Sequence, residues 1–209
     1  LIAVVSVFAV LLVAAVVAPS FVDWNKYKGQ IIQQVEKATG FKIEIAGDLS
    51  MAVLPFPHLS LAGLTVDNPE AKKQKPLAKA DSVSVQVALL PLFSGDIEIS
   101  EVSLQSPDIY IVVDEDGTPS WQTEKMRNKA EGTVGSNQLG DAIALNSIKI
   151  KNGSLSYVDN TKKGKHNISD LNIDLSANGI MGPYKSNGSL VYNGQKIVFE
   201  HESGDLAKL

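Results

Sequence analysis

From Phe41 onward apolar residues fall on every second position, and this period of two constrains the fold most, because only extended strands put alternate side chains on one face. The pattern runs through Phe41, Ile43 and Ile45, then Leu49, Met51 and Val53, then Leu59 and Leu61. It returns in Val83, Val85, Val87 and Leu89, in Ile97, Ile99, Val102 and Leu104, and in Ile109, Ile111 and Val113. Turn residues such as Ser106-Pro107 and Asp116-Gly117 separate the runs. Parity changes near Ala62-Gly63 and Ser100-Glu101, where a β-bulge would keep the apolar side facing one way. The connections are too short for crossover helices, so antiparallel pairing is expected to dominate.

Residues 122–141 lose this period and become polar and small, with Gly132 to Asn137 in the middle, which reads as a flexible linker or loop. Alternation resumes over residues 142–209 in Ile148, Ile150, Leu155 and Tyr157, in Ile168, Leu171, Ile173 and Leu175, and in Leu190, Tyr192, Ile197 and Phe199. Ile97 to Gly117 and Leu145 to Gly164 share an order of strand, small-residue turn, strand and polar turn. Residues 41–121 and 142–209 therefore read as two β-segments of a serial repeat that would stack side by side.

Each strand offers one hydrophobic face, and a single soluble helix is available to cover them. A second sheet would give a closed β-sandwich. A curved sheet with an apolar concave face would instead shelter a hydrophobic ligand. Composition does not separate the two.

Ahead of the strands, Leu1 to Val22 carries no charge and would extend about 33 Å as a helix, matching a bilayer core of about 30 Å. A cleaved signal peptide has a shorter apolar region, and Pro19 would follow any cleavage after Ala18, so a retained transmembrane helix over residues 1–22 is the expectation. Residues 23–40 read as an amphipathic, membrane-proximal helix. Asp23 is its N-cap, Trp24, Tyr27, Ile31, Val35 and Ala38 form its apolar stripe, and Thr39-Gly40 closes it. Trp24 and Tyr27 suit the membrane interface; covering one end of a sheet is the other use of such a helix. The chain begins with Leu and ends in mid-pattern at Leu209, as a piece of a longer protein would.

Little in the sequence points to chemistry. The 209-residue chain has a net charge of -4, and of its 19 Lys and Arg residues only Arg127 is arginine, which argues against nucleic acid as a partner. Cysteine is absent, so disulfides, thiolate metal sites and thiol nucleophiles are excluded. His58, His166 and His201 are far apart with no second ligand at helical or hairpin spacing, so no metal is expected. Asp114, Glu115 and Asp116 read as a solvated turn, and Lys72, Lys73 and Lys75 as an exposed loop. Trp121 reads as a core or interface anchor. No catalytic grouping or cofactor motif is visible, so an enzyme is not expected.

The order of signals from Asp23 to Trp121 resembles the N-terminal region of AsmA-family proteins. It includes Asp23 and Tyr27, Thr39-Gly40, Gly47-Asp48-Leu49, Pro55-Phe56-Pro57 and Asn68-Pro69. Leu90-Pro91-Leu92-Phe93-Ser94-Gly95-Asp96-Ile97 follows, then Ser106-Pro107, and Asp116-Gly117 leading to Trp121. Asn152-Gly153-Ser154 with Tyr157 and Asp159 resembles the family's later β-repeat; Ser120 departs from it, where Asn often precedes the Trp. The resemblance implies a single-pass Gram-negative inner-membrane protein with its β-region in the periplasm, related to bridge-like lipid-transfer proteins and linked to outer-membrane biogenesis. It favours the open groove and phospholipid as ligand, with the strand residues from Phe41 to Val113 named above as groove lining. The alternative is a tethered scaffold that influences outer-membrane protein assembly, with other envelope proteins as partners and no lipid cargo.

Overall fold

A computed structural model describes residues 22–53, 56–72, 75–88, 91, 98–127, 146–177 and 183–204. It is mainly β, as the alternation requires. A 3-10 turn, Trp24–Tyr27, leads into the helix α1 (Lys28–Thr39). Among the described residues ten strands follow: β1 (Lys42–Ile45), β2 (Leu49–Ala52), β3 (His58–Asp67), β4 (Ala78–Val87), β5 (Ile99–Gln105), β6 (Asp108–Val113), β7 (Ser147–Asp159), β8 (Gly164–Ala177), β9 (Tyr184–Tyr192) and β10 (Gln195–Ser203). Gly40 ends α1 as expected, with φ of 80°, but the Asp23 carboxylate, accepting from the Asn25 N–H at 3.2 Å, caps the 3-10 turn, and α1 itself starts after Tyr27 with no side-chain cap.

All ten strands belong to one sheet, ordered β1-β3-β4-β5-β7-β8-β9-β10, with β2 beside β3 and β6 between β4 and β7. The two β-segments are thus continuous with each other, and the described strands form no second sheet of the kind a closed sandwich requires. Pairing is antiparallel throughout except at one junction. There β5 and β6 both run parallel to β7, pairing Val102 with Ile148 and Ile109 with Leu155. The expectation of an antiparallel sheet is corrected to a mixed one at this point. A parallel neighbour must return to the same end of the sheet, and the connection through residues 114–146 is long enough to do so. The two segments that resemble each other lie here side by side.

The first strands end at a common line. β1 and β2 are halves of one strand parted at Ala46-Gly47-Asp48, whose backbone bonds Ala62 and Gly63 of β3. Gly63 has φ of 67°, and in β5/β6, β7 and β8 the residues Ser106 (48°), Asn152 (54°) and Asp170 (48°) are likewise left-handed. The register carries these positions across the sheet at one height. A left-handed residue inside a strand inserts one position into the alternation. Each strand therefore resumes with its apolar residues on the same face but at the opposite sequence parity: Leu59 and Leu61 give way to Leu64 and Val66, Ile148 and Ile150 to Leu155 and Tyr157. Gly153 shows that the two halves share a face, since a Cβ there would lie 2.9 Å from Ile150 Cγ2, 3.2 Å from Pro107 Cγ and 3.4 Å from Leu171 Cβ. The parity change expected at Ala62-Gly63 belongs to this crease. The one expected at Ser100-Glu101 is a separate bulge, where Val87 pairs with Ile99 and Gln86 with Glu101.

α1 flanks the β1/β2 edge, and it does so through polar groups. Leu49 N–H donates to Asn25 Oδ1 at 2.9 Å and Ile43 N–H to Glu36 Oε1 at 3.0 Å, while Lys28 Nζ donates to the Gly47 carbonyl at 2.6 Å. Asn25, Lys28 and Glu36 thus satisfy backbone groups that an edge strand leaves unpaired. The apolar stripe lies elsewhere, with Tyr27 and Val35 exposed.

Candidate functional site

The strand pairings place the candidate residues in rows. One runs Leu49, Leu61, Val83, Leu104, Ile150, Ile173, Gly188 and Phe199, from β2 to β10. Beside it lie Met51, Leu59, Val85, Val102, Ile148, Leu175, Ser186 and His201. Val87 and Ile99 begin a third row. Beyond the crease, Ile45, Leu64 and Ala80 align, then Ile43, Val66, Ala78, Ile109, Leu155, Ile168 and Tyr192, then Ile111, Tyr157 and His166, with Val113 beside Asp159. Seventeen of the nineteen strand candidates fall among the described residues; Leu89 and Ile97 lie outside them. Phe41 and Val53 flank strands without pairing in them.

The opposite face is polar along the matching row: Ser50, Ser60, Ser84, Ser103, Lys149, Asp174, Asn187 and Glu200. Its side chains bond one another, as in Ser60 Oγ to Ser84 Oγ at 3.2 Å and the Glu101–Lys149 ion pair at 2.6 Å. The Lys149 hydrogen bond holds the Glu101 carboxyl below the usual carboxylate range, and the same bond raises Lys149. A shallow depression of about 800 Å³ lies over β7 to β10, lined by Lys149, Lys151, Asp174, Asn187 and Glu200 together with Ile150, Ile173, Val198 and Phe199.

Few members of the apolar face are buried. Ile45, Leu49, Ala80, Val83 and Leu171 are, whereas Leu59, Leu61, Val85, Val102, Leu104, Ile148, Ile150, Ile173 and Leu175 stay half-buried. Such half-exposure follows from one amphipathic sheet with no second layer of described strands packed on it.

Segment 118–127, half of it read as linker, instead straps one end of the sheet. Ser120 Oγ accepts from Val112 N–H at 2.9 Å, and Asn68 Nδ2 donates to the carbonyls of Ser120 and Gln122, each at 2.9 Å. The Thr123 hydroxyl donates to the Thr39 carbonyl, and its side chain is fully buried against Gly40. Trp121, expected as an anchor, is 37% exposed; the small polar residues on either side of it are what the strap buries. Their hydrogen bonds to distant backbone carry no periodicity, so sequence alone did not mark them.

Other candidates fall out plainly. The Asp114-Glu115-Asp116 cluster is a turn in which Thr118 N–H donates to Asp116, holding its carboxyl at about 2. Among the described residues no group of His, Cys, Asp and Glu could hold a metal. His166 Nδ1 lies 2.7 Å from Tyr192 Oη, with Tyr157 next in the row. Trp24 and Tyr27 sit together, ring centroids 5.7 Å apart. Among the described residues no helix is long and apolar enough to cross a membrane, and residues 1–21, where the anchor is expected, lie outside them.

Comparison with known proteins matches the family model described as "AsmA family" over residues 1–200. Two curated relatives come from Escherichia coli (strain K12). Protein AsmA is 29% identical over 108 residues, 52% of this chain and 16% of that protein. AsmA family protein YhjG is 21% identical over 168 residues, 75% of this chain and 24% of that protein. The chain spans at most about a quarter of either relative.

Proposed function

The chain belongs to the AsmA family, and on that premise we propose that it is the membrane-proximal part of an envelope protein that binds phospholipid acyl chains on its apolar sheet face and passes them along it. In this reading Leu1 to Val22 anchors the chain in the inner membrane, Trp24 and Tyr27 mark the interface, and the sheet stands in the periplasm and serves outer-membrane biogenesis. The observation that carries the proposal is the row from Leu49 to Phe199, buried at Leu49 and Val83 and half-exposed at its other positions, backed by a wholly polar row on the other side. A sheet meant only to be a scaffold would gain stability by covering that face, at about 25 cal/mol per Å² removed from water. Curvature of the face into a groove would let headgroups remain solvated while acyl chains exchange water for side-chain contacts. The mechanism requires no catalytic group and no cofactor.

Native mass spectrometry of the 209-residue chain taken from mild detergent tests this. Val85→Asp and Ile99→Asp are expected to lose co-purifying phospholipid while the far-ultraviolet circular dichroism stays unchanged, and Ser84→Asp on the polar face is expected to keep it. Lipid retained by both apolar-face variants, or absent from the unsubstituted chain, sinks the proposal and leaves the tethered scaffold.

A further inference from the structure

Over β7 to β9 the apolar face changes chemistry at one rim. Past the row of Leu155 and Ile168, Tyr157 pairs with His166, and Tyr192 lies opposite Ile168. The three rings form a ladder, with centroids 6.2 Å apart from Tyr157 to His166 and 6.1 Å from His166 to Tyr192. His166 is exposed and both tyrosines are half-buried, so the ladder stands where the apolar face meets water.

His166 Nδ1 and Tyr192 Oη are 2.7 Å apart, and this bond fixes what the pair offers. If Nδ1 accepts the hydroxyl proton, Nε2 carries hydrogen and donates outward; if Nδ1 donates, the hydroxyl hydrogen is released to donate instead. Either tautomer leaves one donor for an acceptor outside the protein. Asp159 follows Tyr157 along β7. Its Oδ1 accepts from the Thr161 and Lys162 N–H groups, and its Oδ2 faces the Tyr157 hydroxyl at 3.5 Å. A carboxylate beside an aromatic ring suits a cation.

We propose that Tyr157, His166 and Tyr192 form a rim site for a zwitterionic phosphodiester headgroup, its phosphate accepting from the His166–Tyr192 pair and its ammonium lying toward Tyr157 and Asp159. The site rests on the reading of the apolar face as an acyl-chain surface and adds a fixed station to it. The lengths agree. A strand rises about 3.3 Å per residue, so β7 from Tyr157 back through Leu155 to Ile150 spans about 23 Å. One leaflet gives an acyl chain about 15 Å, half of a bilayer core of about 30 Å. A lipid held by its headgroup at the rim thus has apolar side chains under the whole of its tail.

Native mass spectrometry of the 209-residue chain in a non-ionic detergent tests the site with two probes: phosphatidylethanolamine, and a diacylglycerol of the same acyl chains, which lacks the phosphodiester. The parent chain is expected to bind the phospholipid about tenfold more tightly, as one hydrogen bond to a charged group provides. His166→Phe and Tyr192→Phe keep the rings and remove the donors. Each should erase that preference while diacylglycerol binds as before. Glycerophosphoethanolamine, the headgroup without chains, should not displace the phospholipid at equal concentration; displacement would assign the pair to a soluble phosphate ester and overturn the proposal. Equal affinity of the parent for both lipids, or a preference that survives both substitutions, overturns the rim site and leaves the acyl surface standing. Loss of diacylglycerol together with phospholipid in both variants also overturns it, by making the rings part of the sheet's packing. A parent chain that binds neither lipid overturns the acyl surface and the rim site together.

Discussion

At the scale of single residues, close backbone approach decides which substitutions the sheet tolerates. Gly188 stands in the apolar row between β8 and β10, and a Cβ there would run into the Asn172 carbonyl oxygen and lie 3.0 Å from Phe199 Cζ. The carbonyl is backbone and cannot turn aside. Gly188→Ala should therefore cost about 1–3 kcal/mol in urea denaturation, whereas Gly29→Ala, with nothing within 4 Å, should be neutral or gain up to about 1 kcal/mol. The Glu101–Lys149 pair bridges the parallel junction and carries a pH dependence. Hydrogen bonding to Lys149 lowers the folded pKa of Glu101, so its contribution is present above the unfolded value and fades as pH falls through the folded one. Lys149 is raised, so its share holds below its unfolded value and is lost as pH rises through the folded one. Glu101→Gln should lose about 0.2–1 kcal/mol at neutral pH, and its deficit against the parent chain should vanish in acid below the ordinary glutamate range. A deficit that persists there would assign the loss to packing.

At the scale of elements, α1 acts as an edge cover whose docking is polar. The triple variant Asn25→Ala, Lys28→Ala, Glu36→Ala removes three acceptors and donors from the β1/β2 edge. Amide exchange at Ile43 and Leu49 should then accelerate at least tenfold, at about 1.4 kcal/mol per tenfold, while β7 to β10 keep their protection. The end of the helix was legible in Thr39 and Gly40, because capping is local chemistry, whereas Asp23 caps the 3-10 turn that precedes it. The docking contacts of α1 were not legible: the periodic stripe drew attention to Tyr27 and Val35, which the sheet leaves exposed. The same contrast holds for strands. Alternation read one run at a time located the bulges at Ala62-Gly63 and Ser100-Glu101. It missed the wider crease because Ser106, Asn152 and Asp170 adopt left-handed backbone without being glycine, and because their alignment exists only across the register. The partner of β7 was equally hidden, since nothing local in Ser147–Asp159 distinguishes a parallel neighbour from an antiparallel one.

At the scale of the whole molecule, the two sequence segments form one sheet, and the junction between β5/β6 and β7 makes them mechanically one. Both tryptophans, Trp24 and Trp121, precede that junction. Tryptophan fluorescence thus reports the first segment alone, while far-ultraviolet circular dichroism reports both. The two probes should give coincident denaturation curves, as a single cooperative unit requires; separated midpoints would show that the junction transmits little. Most of the candidate apolar face was legible before any fold was known, because burial of one side is written into every second residue. Its extension through Gly188 and Phe199 depends on the register of β8 to β10, which no single run displays.

The crease has a genetic consequence. A strand is read in a frame of two, inward and outward, and each left-handed residue on the crease is a frameshift. Its neighbours across the sheet carry the compensating shift. Loss of a single codon at Asn152 would remove the inserted position, so that Leu155 and Tyr157 fall in phase with Ile148 and Ile150 while β7 runs one residue short of the crease that its neighbours still carry. Length variation in such a chain should therefore collect in its loops, and along the crease only in steps that keep all the strands in phase.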